Sequence, residues 1–185
     1  MTTVKHLPLA ELEAGLDDIL SSPKDAGEVK LIVRRPAVDT RELLQEVALD
    51  TEVGLVGDTW QDRPSSTSPD GLANPLAQLT IMNSRAAALI SQADDRWQLA
   101  GDQLYVDLDI GRTNLAPGTR LGIGDAVIEV TDKPHTGCEK FSTRFGVDAL
   151  KFVSTPEGRD LCLRGINTKV VRSGVVRVGD LATKL

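Results

Sequence analysis

The chain reads as a mostly β protein of the α+β class, a closed or partly open β-barrel carrying a few peripheral helices. Two features predict it. After Ala100 the sequence breaks into short runs rich in Val, Ile, Leu and Thr, at residues 103–108, 120–123, 126–131, 170–171 and 175–178, and such residues suit a pleated, half-buried surface. A β-branched residue followed by Gly-Asp also recurs, at Val56-Gly57-Asp58, Ile123-Gly124-Asp125 and Val178-Gly179-Asp180, with Gly101-Asp102 as a weaker case. Gly accepts positive φ and Asp bonds its own backbone, which is turn chemistry. Short strands joined by tight turns leave edges exposed, and closing the sheet removes them.

The remaining elements follow in order. Leu9, Leu12, Leu16, Ile19 and Leu20 fall at helical spacing and predict a bracing helix over 8–20, ended by Ser21, Ser22 and Pro23. Residues 29–34 alternate and are β-branched, so they predict a strand stopped by Pro36. Residues 41–49 fit a helix or a strand. Residues 61–75 are rich in Ser, Pro, Asp and Gly and predict an exposed loop. A strand and then a helix over 83–91 come next, with Asn83 as N-cap. A short helix is expected over 145–152. At 185 residues one core suffices, divided here into an N-terminal helical extension, 1–27, and a barrel domain, 28–185.

Composition excludes several classes of function. The net charge of −6 and the scarcity of aromatic residues argue against nucleic acid, because phosphates need clustered cations and single strands need stacking rings. No apolar h-region follows Met1 and no apolar run is long enough to cross a bilayer, so no membrane association is expected. Only two cysteines occur, Cys138 and Cys162, and in the cytoplasmic setting this implies both stay free thiols. Cys162, between Leu161 and Leu163, reads as a small buried hydrophobe.

Cys138 carries the chemistry the sequence offers. It stands in Lys133-Pro134-His135-Thr136-Gly137-Cys138-Glu139-Lys140-Phe141-Ser142-Thr143-Arg144, where Lys133, Lys140 and Arg144 face the single Glu139, so the local charge opposes the global one. Cations stabilise a thiolate, the reactive form. His135, three residues earlier, could stabilise that thiolate as imidazolium or accept its proton as neutral imidazole. Gly137 lets a ligand approach closely. A zinc site would need His6, His135, Cys138 and Cys162 together, at unfamiliar spacings. Arg112 and Asn114 could present a cation and an amide to an anion, or could belong to a solvated loop. Asp58 and Trp60 read as turn and barrel-plug residues, and nothing pairs Asp107 or Asp109 with an acid–base partner.

These residues resemble the MOSC family, named after the C-terminal domain of molybdenum cofactor sulfurases. The likeness runs from Gly101-Asp102-Gln103-Leu104 through Leu121-Gly122-Ile123-Gly124-Asp125 to Pro134-His135-Thr136-Gly137-Cys138, and on through Arg164-Gly165-Ile166-Asn167 to Arg177-Val178-Gly179-Asp180; residues 54–60 and 78–85 fit the earlier part. Other members often show Arg two or three residues before the cysteine, where this chain has His135 and Thr136. The resemblance implies a β-rich barrel. It also implies that Cys138 takes sulfur as a persulfide or ligates the molybdenum of a bound molybdopterin, since a soft thiolate suits both tasks. Thr136, Lys140, Arg144, Arg112 and Asn114 are then the candidates to hold the cofactor, the cations serving its phosphate. No pyridoxal-phosphate desulfurase domain is present, so sulfur would come from a separate cysteine desulfurase and pass to a molybdoenzyme acceptor. The alternatives are a non-catalytic binding module for another anionic metabolite and a molybdenum-dependent reductase of N-hydroxylated compounds.

Overall fold

Seven strands close a ring in the computed structural model, which describes residues 5–64 and 70–185. The strands are β1 (Ala26–Arg34), β2 (Glu42–Leu44), β3 (Glu46–Asp50), β4 (Gly54–Leu55), β5 (Leu79–Asn83), β6 (Leu104–Val106), β7 (Arg120–Ile123), β8 (Ala126–Val130), β9 (Ile166–Arg172), β10 (Gly174–Arg177) and β11 (Leu181–Lys184). Around the ring they run β1, β11, β7, β8, β9, β5, β6 and back to β1. Among the described residues only β5 and β6 pair in parallel. A parallel pair needs a crossover, supplied by helix α3 (Ser84–Ser91) and a 3-10 stretch over Asp94–Ala100. β2 extends the end of β1, while β10, β3 and β4 form a small second sheet.

β1 is the pivot. Its nine residues pair with β11 at Ala26↔Thr183 and with β6 at Ile32↔Leu104, and the register shifts between Val29 and Leu31. Side chains alternate between two cores, as the pleat requires. Leu79, Ile81, Leu104 and Val106 point into the ring with Val29, Leu121, Ile123 and Ile128. Met82 and Tyr105, one residue out of phase, point outward against Leu12, Phe141, Phe145 and Phe152 of the helices. Both faces of β5 are therefore buried, which hides the alternation from the sequence.

The expected helix over 8–20 is two helices, α1 (Leu9–Ala14) and α2 (Leu16–Leu20), because Gly15 sits against Leu89, whose Cδ1 would lie 2.6 Å from a Cβ there. The undecided segment 41–49 is extended, as β2 and β3. Asn83 caps α3 as expected, its side chain accepting from the amides of Arg85 and Ala86. The helix expected over 145–152 is α4 (Glu139–Phe145) and α5 (Val147–Ser154), parted at Gly146. A further helix, α6 (Pro156–Asp160), went unforeseen although Pro156 opens it and the Thr155 side chain caps it. Of the Gly-Asp turns, Gly124-Asp125 joins paired strands as a hairpin, whereas Gly179-Asp180 links two sheets and Gly57-Asp58 leads away from β4. Part of the expected loop over 61–75 lies outside the described residues. Among the described residues no helix is long and apolar enough to cross a membrane.

Candidate functional site

Three distant segments converge on a buried carboxylate at one end of the ring. Gly101, with φ 95°, turns the chain out of the crossover and delivers Asp102 just ahead of β6. Arg164, before β9, donates Nη1 to Asp102 Oδ2 at 2.6 Å and Nη2 to the carbonyl of Ala100 at 2.8 Å, with its guanidinium carbon 5.0 Å from the centre of the Phe141 ring. His135 Nε2 meets Asp102 Oδ1 at 2.9 Å. Burial pushes the Asp102 carboxyl up, but the charges and hydrogen bonds of Arg164 and His135 outweigh it and hold the group far below the usual carboxylate range.

His135 is driven the other way. Burial, then the charge of Arg164, lowers its pKa, and Asp102 does not offset them. The ring is therefore neutral at neutral pH. An ionised carboxylate only accepts, so Nε2 carries the proton and Nδ1 keeps a lone pair. Nδ1 has no protein partner among the described residues. Of the two forms the sequence left open, the imidazole takes the neutral one; it is bound to Asp102, and among the described residues no hydrogen bond joins it to Cys138.

Cys138 is exposed and unpaired, at the residue that caps α4. From that helix Arg144 reaches Asp39 at 3.3 Å and the carbonyl of Leu99 at 2.8 Å, and Lys140 lies 3.9 Å from Asp39. Three further arginines belong to the same basic group. Arg35 grips Asp58 with two hydrogen bonds of 2.8 Å, a side chain the sequence suggested only as a turn residue. Arg41 has a buried Nε with no partner. Its pKa is lowered by burial and then by Arg144 and Arg35. Arg63 is lowered in the same manner by burial and by Arg35. Like charges held this close repel, which weighs against their protonated forms.

A cavity of about 420 Å³ opens on the other side of the cysteine segment. Thr136 and His135 belong to its wall, as do Arg112, Arg164 and Cys162, whereas Cys138 does not. Cys162 packs against the ring's core as a hydrophobe, but it is half-buried rather than sealed, adopts φ 52°, and fronts the cavity. Burial raises its thiol pKa against the pull of Arg112. Asn114 braces the fold, donating to the carbonyls of Lys24 and Asp109 and accepting from Lys184. His6 meets the Arg144 carbonyl through its Nε2 at 3.2 Å. Among the described residues no group of three His, Cys, Asp or Glu is placed to share a metal ion.

The sequence therefore pointed to Cys138, His135, Lys140 and Arg144 but missed Asp102, Arg164, Arg35, Arg41 and Arg63. The Arg34-Arg35 pair before Pro36, and Arg164 before Gly165, were the available signals.

The closed barrel with its peripheral helices is shared with solved structures of other proteins. The structure of YuaD from Bacillus subtilis superposes with a TM-score of 0.60 at 16% identity, over 84% of this chain and 93% of that one. YiiM from Escherichia coli superposes at 0.56 and 16% identity, over 85% of this chain and 69% of that one. At such identities the likeness is one of fold. No protein-family model matches the sequence, and no curated protein does.

Proposed function

We propose that this is a small MOSC-type protein that carries sulfur as a persulfide on Cys138 for delivery to a metal–sulfur centre, and that its basic group holds a molybdenum–pterin cofactor. One observation carries the reading: an exposed, free thiol begins the helix whose Lys140 and Arg144 join Arg35, Arg41 and Arg63, with Asp39 and Asp58 bound among them.

Sulfur transfer needs nothing beyond thiol exchange. The Cys138 thiolate attacks the outer sulfur of a persulfide on a partner cysteine desulfurase, which makes that persulfide with its own pyridoxal phosphate. The donor's S–S bond breaks as the new one forms, and the donor cysteine leaves as thiolate. In a second exchange a thiolate of a molybdoenzyme acceptor attacks the outer sulfur, the Cys138 S–S bond breaks, and Cys138 leaves as thiolate. The cytoplasm, where thiols stay reduced, suits both steps.

The residues also fit the cofactor. The partnerless Nε of Arg41 and the mutual repulsion of the arginines are met by a phosphate, which accepts from several guanidinium groups at once. Cys138 would supply a soft thiolate to molybdenum. Bound there, the cofactor would contribute a redox-active, sulfur-ligated metal. Arg144, tied to Asp39 and Leu99, would orient the phosphate rather than move a proton. Thr136 and Arg112 face the cavity instead.

The test is incubation with a cysteine desulfurase and cysteine, followed by intact mass. A gain of one sulfur that vanishes in Cys138→Ala supports the carrier. Unchanged mass, with the desulfurase shown to be active, leaves the chain a binding module.

A further inference from the structure

We propose that the cavity of about 420 Å³ is a ligand site of its own, separate from Cys138, for a small organic acid that also offers a hydroxyl or N–H hydrogen. The inference does not depend on the persulfide reading, because Cys138 is not part of the wall.

Charge gives the first half of the ligand. Among the described wall residues Arg112, Lys133, Arg159 and Arg164 are cationic and Asp132 alone is a carboxylate, with Arg164 paired to Asp102 behind the wall, in a protein whose net charge is −6. A concave, partly dry wall concentrates that local field whatever the global charge. Arg164 is 93% buried, being 7% exposed, and its Nε has no partner although both terminal nitrogens do. Arg112 commits its Nε to the carbonyl of Arg159 at 3.3 Å and also pairs with the Cys162 side chain, so an anion bound there would meet Arg112 beside that thiol.

Shape and chemistry give the rest. Leu115, Val130, Val153 and Ile166 form an apolar share of the wall, so a bare inorganic ion would leave it wetted and unused. The volume falls within the range of small-molecule sites. His135 is held by Asp102 with its proton on Nε2, which leaves Nδ1 as an acceptor on a wall otherwise rich in donors. A carboxylate for the arginines and a hydrogen for Nδ1 together satisfy both kinds of group.

Cys162 reports on occupancy, since it is a wall residue and Cys138 is not. Native protein would be alkylated at alkaline pH, with each cysteine followed by peptide mapping, in the presence of 3-hydroxybenzoate or benzoate. We expect 3-hydroxybenzoate to slow Cys162 several-fold in a saturable manner and to leave Cys138 unchanged. Benzoate, lacking the donor, should protect less. The exposed pair Arg112→Gln with Arg159→Gln should abolish protection without unfolding the chain, and Cys138→Ala should retain it. Calorimetric titration with the same two acids decides the matter if Cys162 reacts too slowly to follow. Absent saturable binding, equal slowing of both thiols, equal protection by benzoate, or protection that survives the double arginine variant overturns the proposal.

Discussion

Arg164 and Asp102 form an ion pair at 2.6 Å with side chains 8% and 0% exposed, so each charge depends on the other for the solvation it gave up. Removing one partner of a buried pair strands the other. Asp102→Ala is expected to lower the unfolding free energy by about 3–5 kcal/mol, read from urea midpoints at constant slope. A loss below about 1 kcal/mol would show that Arg164 finds another partner.

The same cluster sets a pH dependence. His135 has a folded pKa below its ordinary value of 6.5, so between the two values the unfolded chain binds the proton and the folded one does not. Stability is therefore complete above about pH 6.5 and falls as the pH drops below it. Asp102, also depressed in the fold, adds a second loss as the pH falls below its ordinary 3.8. His135→Gln should remove the first decline and keep the second, in thermal midpoints recorded across an acid series.

Gly165 has φ 112°, and a Cβ there would meet the carbonyl oxygen of Ile81 at 2.5 Å and His135 Cδ2 at 3.0 Å. Gly101 has φ 95° with nothing within 4 Å. Gly101→Ala should cost only the left-handed backbone penalty, about 1–2 kcal/mol. Gly165→Ala should cost more, because backbone cannot yield as a side chain can. Equal effects in parallel denaturation curves would argue against the close packing of His135 on that turn.

Arg41 sits half-buried among Arg35, Arg63 and Arg144. Arg41→Gln relieves that repulsion, so the variant should melt at or above the temperature of the parent. Phosphate should raise the parent's melting temperature and leave the variant's unmoved. A variant that melts lower and still responds to phosphate would place the anion elsewhere.

The two thiols should differ in rate. Cys138 is exposed, whereas Cys162 is half-buried and its pKa is raised by that burial. Iodoacetamide at neutral pH is expected to label Cys138 well before Cys162, as mapped by peptide mass.

What the sequence revealed, and what it concealed, follows from local and non-local physics. β7, β8 and the cap at Asn83 were legible because alternation, a Gly-Asp hairpin and a capping side chain act within a few residues. The breaks at Gly15 and Gly146 were not, since they answer to Leu89 and His6, far away along the chain. Cys138 announced itself through its neighbours. Asp102 did not, because its partners His135 and Arg164 stand 33 and 62 residues further on. The charge of His135 stayed undecided for the same reason: it is set by burial and by Arg164, neither visible in its own segment.

The pairing of Ala26 with Thr183 sets the two extremities of the ring side by side, roughly 5 Å apart as neighbouring strands are. A designer could therefore splice the whole barrel into a surface loop of a host protein through that single point, with entry and exit of the inserted segment nearly coincident and little distortion asked of either partner.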